Sequence, residues 1–280
     1  ADLKAGGSPI DAGELRDYQP VWRAPLSTPF HGLTVHAMAG LSGGPTLAAA
    51  VGELAAALPD GEPLSGRTAL AFARAIRRAS EHRLRTLGHA SGESCTTHLS
   101  VVDRDGTMVS LTNTLLSRFG SRVVLPATDM LMNNGMMWFD PRPGQPNSIA
   151  PGVRPLANMC PLIATEGGKP KLALGAAGGR QIMPAVTQIM AYVAACGMSL
   201  EEAFHAPRLD ASGVRLRVNR KARPDVAVRV GDEFPVDIVE DTLYPVNFAI
   251  PSAVLREGDE NVGMAHHNHP WAAVGMERAP

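Results

Sequence analysis

Residues 93–103 read Glu-Ser-Cys-Thr-Thr-His-Leu-Ser-Val-Val-Asp, a cluster of hydroxyl and thiol side chains running into a strand-like stretch. Such a cluster at a loop-to-strand junction suits a nucleophile that is unmasked by chain cleavage. If the peptide bond before Thr96 is cut, the freed α-amino group, with a pKa of about 8, sits on the same residue as the hydroxyl it must deprotonate. No separate His or Asp base is then required. The plainer alternative is that Thr96 and Thr97 are two β-branched residues opening a strand, and spacing leaves both readings open.

Other candidate groups carry less. Cys95 could itself be nucleophilic, but a small residue preceding a cleavage site accounts for it as well. His266, His267 and His269 could ligate a metal, yet no further ligand group lies near them in sequence, and they read as a polar surface tail. Arg74, Arg77, Arg78, Arg83 and Arg85 resemble a basic patch, but with Glu81 among them they read as a solvated helix face. Met130, Met132, Met136 and Met137 suit either an adaptable apolar pocket or ordinary core filling. Asp103, Asp105 and Gly106 are turn residues. Gly-rich phosphate loops, paired-carboxylate spacing and a Gly-x-Ser-x-Gly elbow are absent from the sequence.

The elements that must hold these groups follow from local pattern. Residues 1–45 are rich in Pro and Gly and read as surface turns, with one extended run near Leu33–His36. Apolar spacing predicts helices over Thr46–Leu58 and Arg67–Leu87, the second ended by Gly88. His98–Asp103 and Thr107–Leu115 flank Arg104-Asp105-Gly106 and predict a hairpin. A second hairpin is expected from Leu162–Thr165 and Lys171–Gly175 around Gly167-Gly168. A helix from about Gln181 to Cys196 follows, and Ser199-Leu200-Glu201-Glu202 matches a capping box for a short helix that Pro207 closes. Strands between helices imply a sheet covered by helices.

The 280 residues carry 26 Lys+Arg against 27 Asp+Glu, a formal charge of −1, which removes the electrostatic case for nucleic acid or an anionic membrane. A hydrophobic fraction of 45% supports a sizeable core. Three widely spaced cysteines, Cys95, Cys160 and Cys196, support neither a disulfide framework nor a zinc ribbon. No apolar run is long enough for a membrane span. The opening Ala-Asp-Leu-Lys shows no signal-peptide pattern and lacks an initiating Met, so processing from a longer precursor is expected and both periplasm and cytoplasm stay open.

The sequence resembles the γ-glutamyltransferase (γ-glutamyl transpeptidase) family of N-terminal nucleophile hydrolases. The resemblance runs through Thr96-Thr97-His98, Ser100-Val101-Val102-Asp103, Asp105-Gly106, Val109-Ser110, Thr112, Thr114 and Phe119-Gly120-Ser121. It continues with Asn133-Asn134, Arg154-Pro155-Leu156, Met159, Pro161, Gly178-Gly179 and Ala206-Pro207-Arg208. Tyr18, Trp22-Arg23-Ala24-Pro25-Leu26 and Gly43-Gly44 look like the tail of the family's large subunit. Similarity weakens after about residue 215.

This resemblance implies an α+β fold, the four-layer α/β/β/α sandwich, with residues 1–95 ending the large subunit and 96–280 forming the small catalytic one. It makes Thr96 the nucleophile that cuts after Cys95 and then forms an acyl-enzyme. It makes Thr114 the supporting hydroxyl, and Gly178 and Gly179 the backbone donors at the oxyanion. It implies no cofactor and no metal. Its implied partners are a small-molecule amide substrate and the remainder of the large subunit, in a heterodimer after self-cleavage.

At positions where relatives recognise the free amino-acid end of a γ-glutamyl group, this chain has Leu116, Gly135 and Trp138, and its counterparts of the paired serines are Ala157 and Asn158. Losing several buried polar partners at roughly 1–3 kcal/mol each predicts an acyl specificity changed from ordinary γ-glutamyl. The alternatives are a conventional γ-glutamyl hydrolase or transpeptidase acting on glutathione, and an unprocessed inactive homologue serving as a binding or scaffold protein.

Overall fold

The computed structural model describes residues 1–58, 62–88, 95–243 and 245–277. Glu93 and Ser94, the start of the hydroxyl-rich run, lie outside these residues.

The chain opens with two short helices, α1 (Asp2–Ala5) and α2 (Ala12–Asp17), the latter held by a capping box from Asp11. The expectation of surface turns before residue 45 misses β1 (Leu26–Phe30), which pairs antiparallel with β2 (Leu33–Ala37). β1 carries a proline and has only one fully buried residue, so local pattern hardly marks it; an edge position tolerates that composition. Two helices follow as expected, α3 (Gly44–Ala57) and α4 (Gly66–Thr86). α4 starts on the Ser65 side chain, which accepts from the Thr68 N–H, and ends at Gly88, whose φ is 92°.

The predicted first hairpin is β3 (Cys95–Val102) with β4 (Met108–Leu116); Asp103 Oδ1 accepts from the Asp105 and Thr107 N–H groups and fixes its turn. A two-residue ribbon, β5 (Val124–Leu125) with β6 (Met130–Leu131), leads to a single 3-10 turn at Gly135–Trp138. The second predicted hairpin is β7 (Leu162–Glu166) with β8 (Lys169–Ala177). α5 (Ile182–Ala195) and α6 (Leu200–His205) follow, α6 with its capping box intact. Past residue 208 come β9 (Leu209–Asp210), β10 (Leu216–Asn219), α7 (Pro224–Gly231), β11 (Val236–Val239), β12 (Ile250–Glu257) and β13 (Glu260–Ala265).

Six of these strands form one antiparallel sheet in the order β1-β2-β7-β8-β12-β13, while β11-β10-β9 form a small mixed sheet. Leu47, Leu54, Phe72, Ile76, Val186, Ile189 and Phe204 from the helices meet Val35, Leu162, Leu172 and Leu174 of the large sheet in one core. The β3–β4 hairpin packs on the opposite face. The fold is therefore α+β, and layers of helix, sheet and hairpin stack in the order expected of the sandwich.

The hairpin is polar inside and apolar outside. His98 lies between it and the large sheet, bonded to Thr112 Oγ1 at 2.8 Å and Ser100 Oγ at 3.0 Å. Ser110 donates to Leu174 O and Ser252 to His98 O. The outward face instead shows Leu99, Val101, Val109 and Leu111, each 42–50% exposed.

Candidate active site

Thr96 and Thr114 face each other in register across the hairpin, and a bulge at Cys95/Thr96 disturbs the ladder there. The Thr96 hydroxyl donates to Thr114 Oγ1 at 3.1 Å. Thr114 in turn donates to the Cys95 carbonyl oxygen at 3.2 Å and accepts from the Leu116 N–H at 3.0 Å. One hydroxyl thus touches both the candidate nucleophile and the carbonyl of the bond to be cut. Leu116 adopts φ 74° with its side chain buried, so the chain changes direction directly after the residue whose N–H Thr114 accepts.

Cys95, Thr96 and Thr97 open onto a cleft of about 1160 Å³, into which Gly178 also faces. Gly178 has φ 144°, and a Cβ there would lie 2.8 Å from Ala249 Cα, so the position admits only glycine. Gly179, φ 59°, lines a smaller side pocket with Asn158 and Arg83. Arg180 and Ser212 border both spaces. The structure therefore brings Thr96, Thr114, Cys95 and Gly178 to one place, with Gly179 and Asn158 adjoining.

Leu116, Gly135 and Trp138 do not line the cleft, which corrects their expected place among substrate contacts. Leu116 is 1% exposed; Gly135 is buried where its N–H meets Asn133 Oδ1, and Trp138 packs over it. Asn134 ties the same turn to β4 by a reciprocal pair of bonds with Ser117.

Three further readings need correction. Arg83 is not on a solvated face. Its Nη1 donates to Ser42 O, and its Nη2 donates to Ala157 O and Asn158 Oδ1, all at 2.8–2.9 Å; burial pulls its pKa down to about 10. His266 is not on a surface tail either. It is 3% exposed, close to the buried Asp241 and Arg208. Met130, Met136 and Met137 are more than half exposed and serve neither core nor cleft.

Sequence reasoning missed the charged lining of the cleft, Arg118, Arg180, Arg215 and Arg217 with Asp210 and Asp237. Arg180 directly follows Gly178-Gly179 and could have been singled out. Arg118 lies just past the end of β4, and Asp210, Arg215, Arg217 and Asp237 arrive on or beside β9, β10 and β11, which local pattern does not mark.

A sequence model described as Gamma-glutamyltranspeptidase matches residues 80–241. The chain is 40% identical over 141 residues to the Acylase ACY 1 proenzyme of Pseudomonas sp. (strain SE83), covering 50% of this chain and 25% of that protein. It is 41% identical over 125 residues to the Glutathione hydrolase proenzyme of Pseudomonas sp. (strain A14), covering 41% and 22%. The matched stretch is thus about a quarter of the length of such relatives. Among solved structures, a cephalosporin acylase from Bacillus halodurans superposes with TM-score 0.76 at 20% identity over 99% of this chain and 57% of the other. That likeness shows the fold, which extends through residues before as well as after Thr96.

Proposed function

This chain belongs to the gamma-glutamyltranspeptidase family, and from that premise we propose that it is the catalytic core of an amidohydrolase or acyltransferase that cuts itself before Thr96. The hydrogen-bonded set Thr96–Thr114–Cys95 carries this reading. In the first step the Thr96 hydroxyl adds to the Cys95 carbonyl carbon, the C–N bond breaks, and the acyl group passes from nitrogen to oxygen as an ester. Thr114, donating to that carbonyl oxygen, stabilises the negative charge that develops on it. Water then hydrolyses the ester, releasing a carboxylate on Cys95 and a free amine on Thr96.

That amine serves as the base in turnover. It takes the proton of the Thr96 hydroxyl as oxygen attacks a substrate amide, and passes it to the departing amine. The resulting ester goes to water or to an acceptor amine. Gly178 and Gly179 are the proposed backbone donors to the oxyanion.

The proposed subunits, 1–95 and 96–280, stay joined after the cut. β2 from the first pairs with β7 from the second over five residues, and α3 and α4 share the core with α5. The apolar outer face of the hairpin supports a further partner, the remainder of a large subunit supplying a fourth layer over Leu99, Val101, Val109 and Leu111. The acyl specificity is proposed to differ from ordinary γ-glutamyl, because the polar recognition groups that the resemblance puts at positions 116, 135 and 138 are replaced by Leu116, Gly135 and Trp138.

Mass spectrometry of the purified protein tests the reading. New ends at Cys95 and Thr96 are expected, together with amide hydrolysis by the cut form. A protein that is active while the 95–96 bond remains intact overturns it.

A further inference from the structure

Two segments distant in sequence line the cleft together: Leu243, Pro245 and Val246 from the loop after β11, and His269, Pro270 and Trp271 from the chain after β13. Trp271 lines the cleft and is still 84% exposed, which puts it at the mouth. Both segments are anchored at one charged point. The Asp241 carboxylate, 7% exposed, lies 3.6 Å from Arg208 Nη2 and 3.7 Å from His266 Nε2, and Asn268 Nδ2 donates to the Asp241 carbonyl. His267 stacks on His205 of α6 with ring centroids 4.6 Å apart and stands 5.2 Å from His266. These contacts are longer than good charge-assisted hydrogen bonds. Among the described residues, Arg208 Nε and Asp241 Oδ1 have no hydrogen-bond partner.

We propose that His266–Trp271 is a strap across the mouth of the cleft, docked while its imidazoles are neutral and released by acid. The charge count carries this. His205, His266 and His267 gather with the Arg208 guanidinium around a single carboxylate, so neutral rings leave one cation against one anion. A proton added to any ring puts a second cation beside Arg208 with no further anion, where water screens poorly. Burial holds the Tyr192 phenol, which also faces Arg208, in its protonated form, so it supplies none. Asp241 stays ionised: burial opposes its charge, but His266 and Arg208 outweigh that and lower its pKa.

The rings of the strap respond in the same sense. Burial, followed by the charges of His266, His205 and Arg208, lowers the pKa of His267; burial and His266 lower that of His269, which meets Trp271 edge-on at 5.1 Å. The docked strap therefore binds fewer protons than the released one. Docking is complete above about pH 6.5 and weakens as pH falls below it. None of this depends on the reading of Thr96.

Hydrogen–deuterium exchange of the protein as its gene encodes it, at pH 7.5 and 5.5 with rates corrected for the intrinsic effect of pH, tests the strap. The N–H groups of His266, His269 and Ala272 bond to Pro251 O, His266 O and His269 O, so their protection reports docking. A drop of about fivefold or more is expected there at pH 5.5, with β12 unchanged. His267→Gln/His269→Gln is expected to keep its protection at pH 5.5. Cys95 lines the same cleft with an exposed thiol. The ratio of its labelling rates by a bulky and a small maleimide, in which the ionisation of the thiol cancels, is expected to rise over the same range.

Equal protection of the strap at both pH values overturns the switch, as does a drop shared by β12, which is general unfolding. A drop undiminished in the double variant overturns it too, since the imidazoles are then not its cause. A constant labelling ratio beside a released strap overturns its place across the mouth.

Discussion

The Arg83 guanidinium donates to Asn158 Oδ1 at 2.9 Å, a contact between residues 75 positions apart that joins the last turn of α4 to the loop before β7. Asn158 and Gly179 line the same side pocket, and this bond fixes the Asn158 amide there. The same side chain satisfies Ser42 O and Ala157 O, so one half-buried cation holds three loop acceptors beside the proposed oxyanion site.

Arg83→Met is therefore expected to destabilise the fold by about 3 kcal/mol, since it leaves buried carbonyl groups without donors. Arg83→Lys should recover part of that loss through its single ammonium. Urea denaturation of the two variants beside the parent gives both values.

Thr96→Ala is expected to prevent self-cleavage and activity together. Thr114→Val should slow cleavage roughly a hundredfold by removing the donor to the Cys95 carbonyl, and Thr114→Ser should restore most of the rate. Cys95→Ala should leave cleavage largely intact, because its exposed thiol has no part in the proposed step. A mass-spectrometric time course separates these outcomes, and loss of cleavage in Cys95→Ala alone would move the nucleophile by one residue.

His98 should give the fold an acid-sensitive seam. Burial between the two sheets lowers its pKa from 6.5 to about 4. Between those values the unfolded chain binds a proton that the folded chain does not. The stability associated with neutral His98 is thus complete above pH 6.5 and is withdrawn as pH falls toward 4, in total on the order of 3 kcal/mol. His98→Gln is expected to lower Tm at pH 7 but to flatten its slope between pH 6.5 and 5, a window above carboxylate titration. An unchanged slope in thermal melts would refute the assignment.

Gly175 lies under the same imidazole. A Cβ added there would sit 2.3 Å from His98 Cε1, so Gly175→Ala must push the hairpin away from the large sheet. A loss of about 2 kcal/mol or more is expected. The displacement should also loosen the Thr96–Thr114 pair, and slower self-cleavage at a temperature where the variant is folded would register it.

How much could be read in advance depends on how local each feature is. The β3–β4 hairpin was legible, because strand alternation and the Asp103–Gly106 turn are encoded within a few neighbouring residues. The opposition of Thr96 and Thr114 follows from that same register. So do α3, α4, α5 and the Ser199 capping box, which depend on spacing and on one side chain meeting a backbone group three residues away. The order of the Thr-Thr-His run, the double glycine and the Ala-Pro-Arg triplet sufficed to indicate the family.

Tertiary structure alone decided what lies around that centre. β1 is a strand only because β2 pairs with it, and Arg83 turns away from solvent only because acceptors from residues 42, 157 and 158 converge on it. His266 leaves the surface because Asp241 and Arg208 wait for it inside. Arg215, Arg217, Asp210 and Asp237 meet because β9, β10 and β11 align them, and the place of Leu116, Gly135 and Trp138 outside the cleft depends on how the chain turns at the end of β4. Burial and charge neighbourhood are sums over residues distant in sequence, so no local window carries them; the nucleophile's strand is local, and its pocket is not.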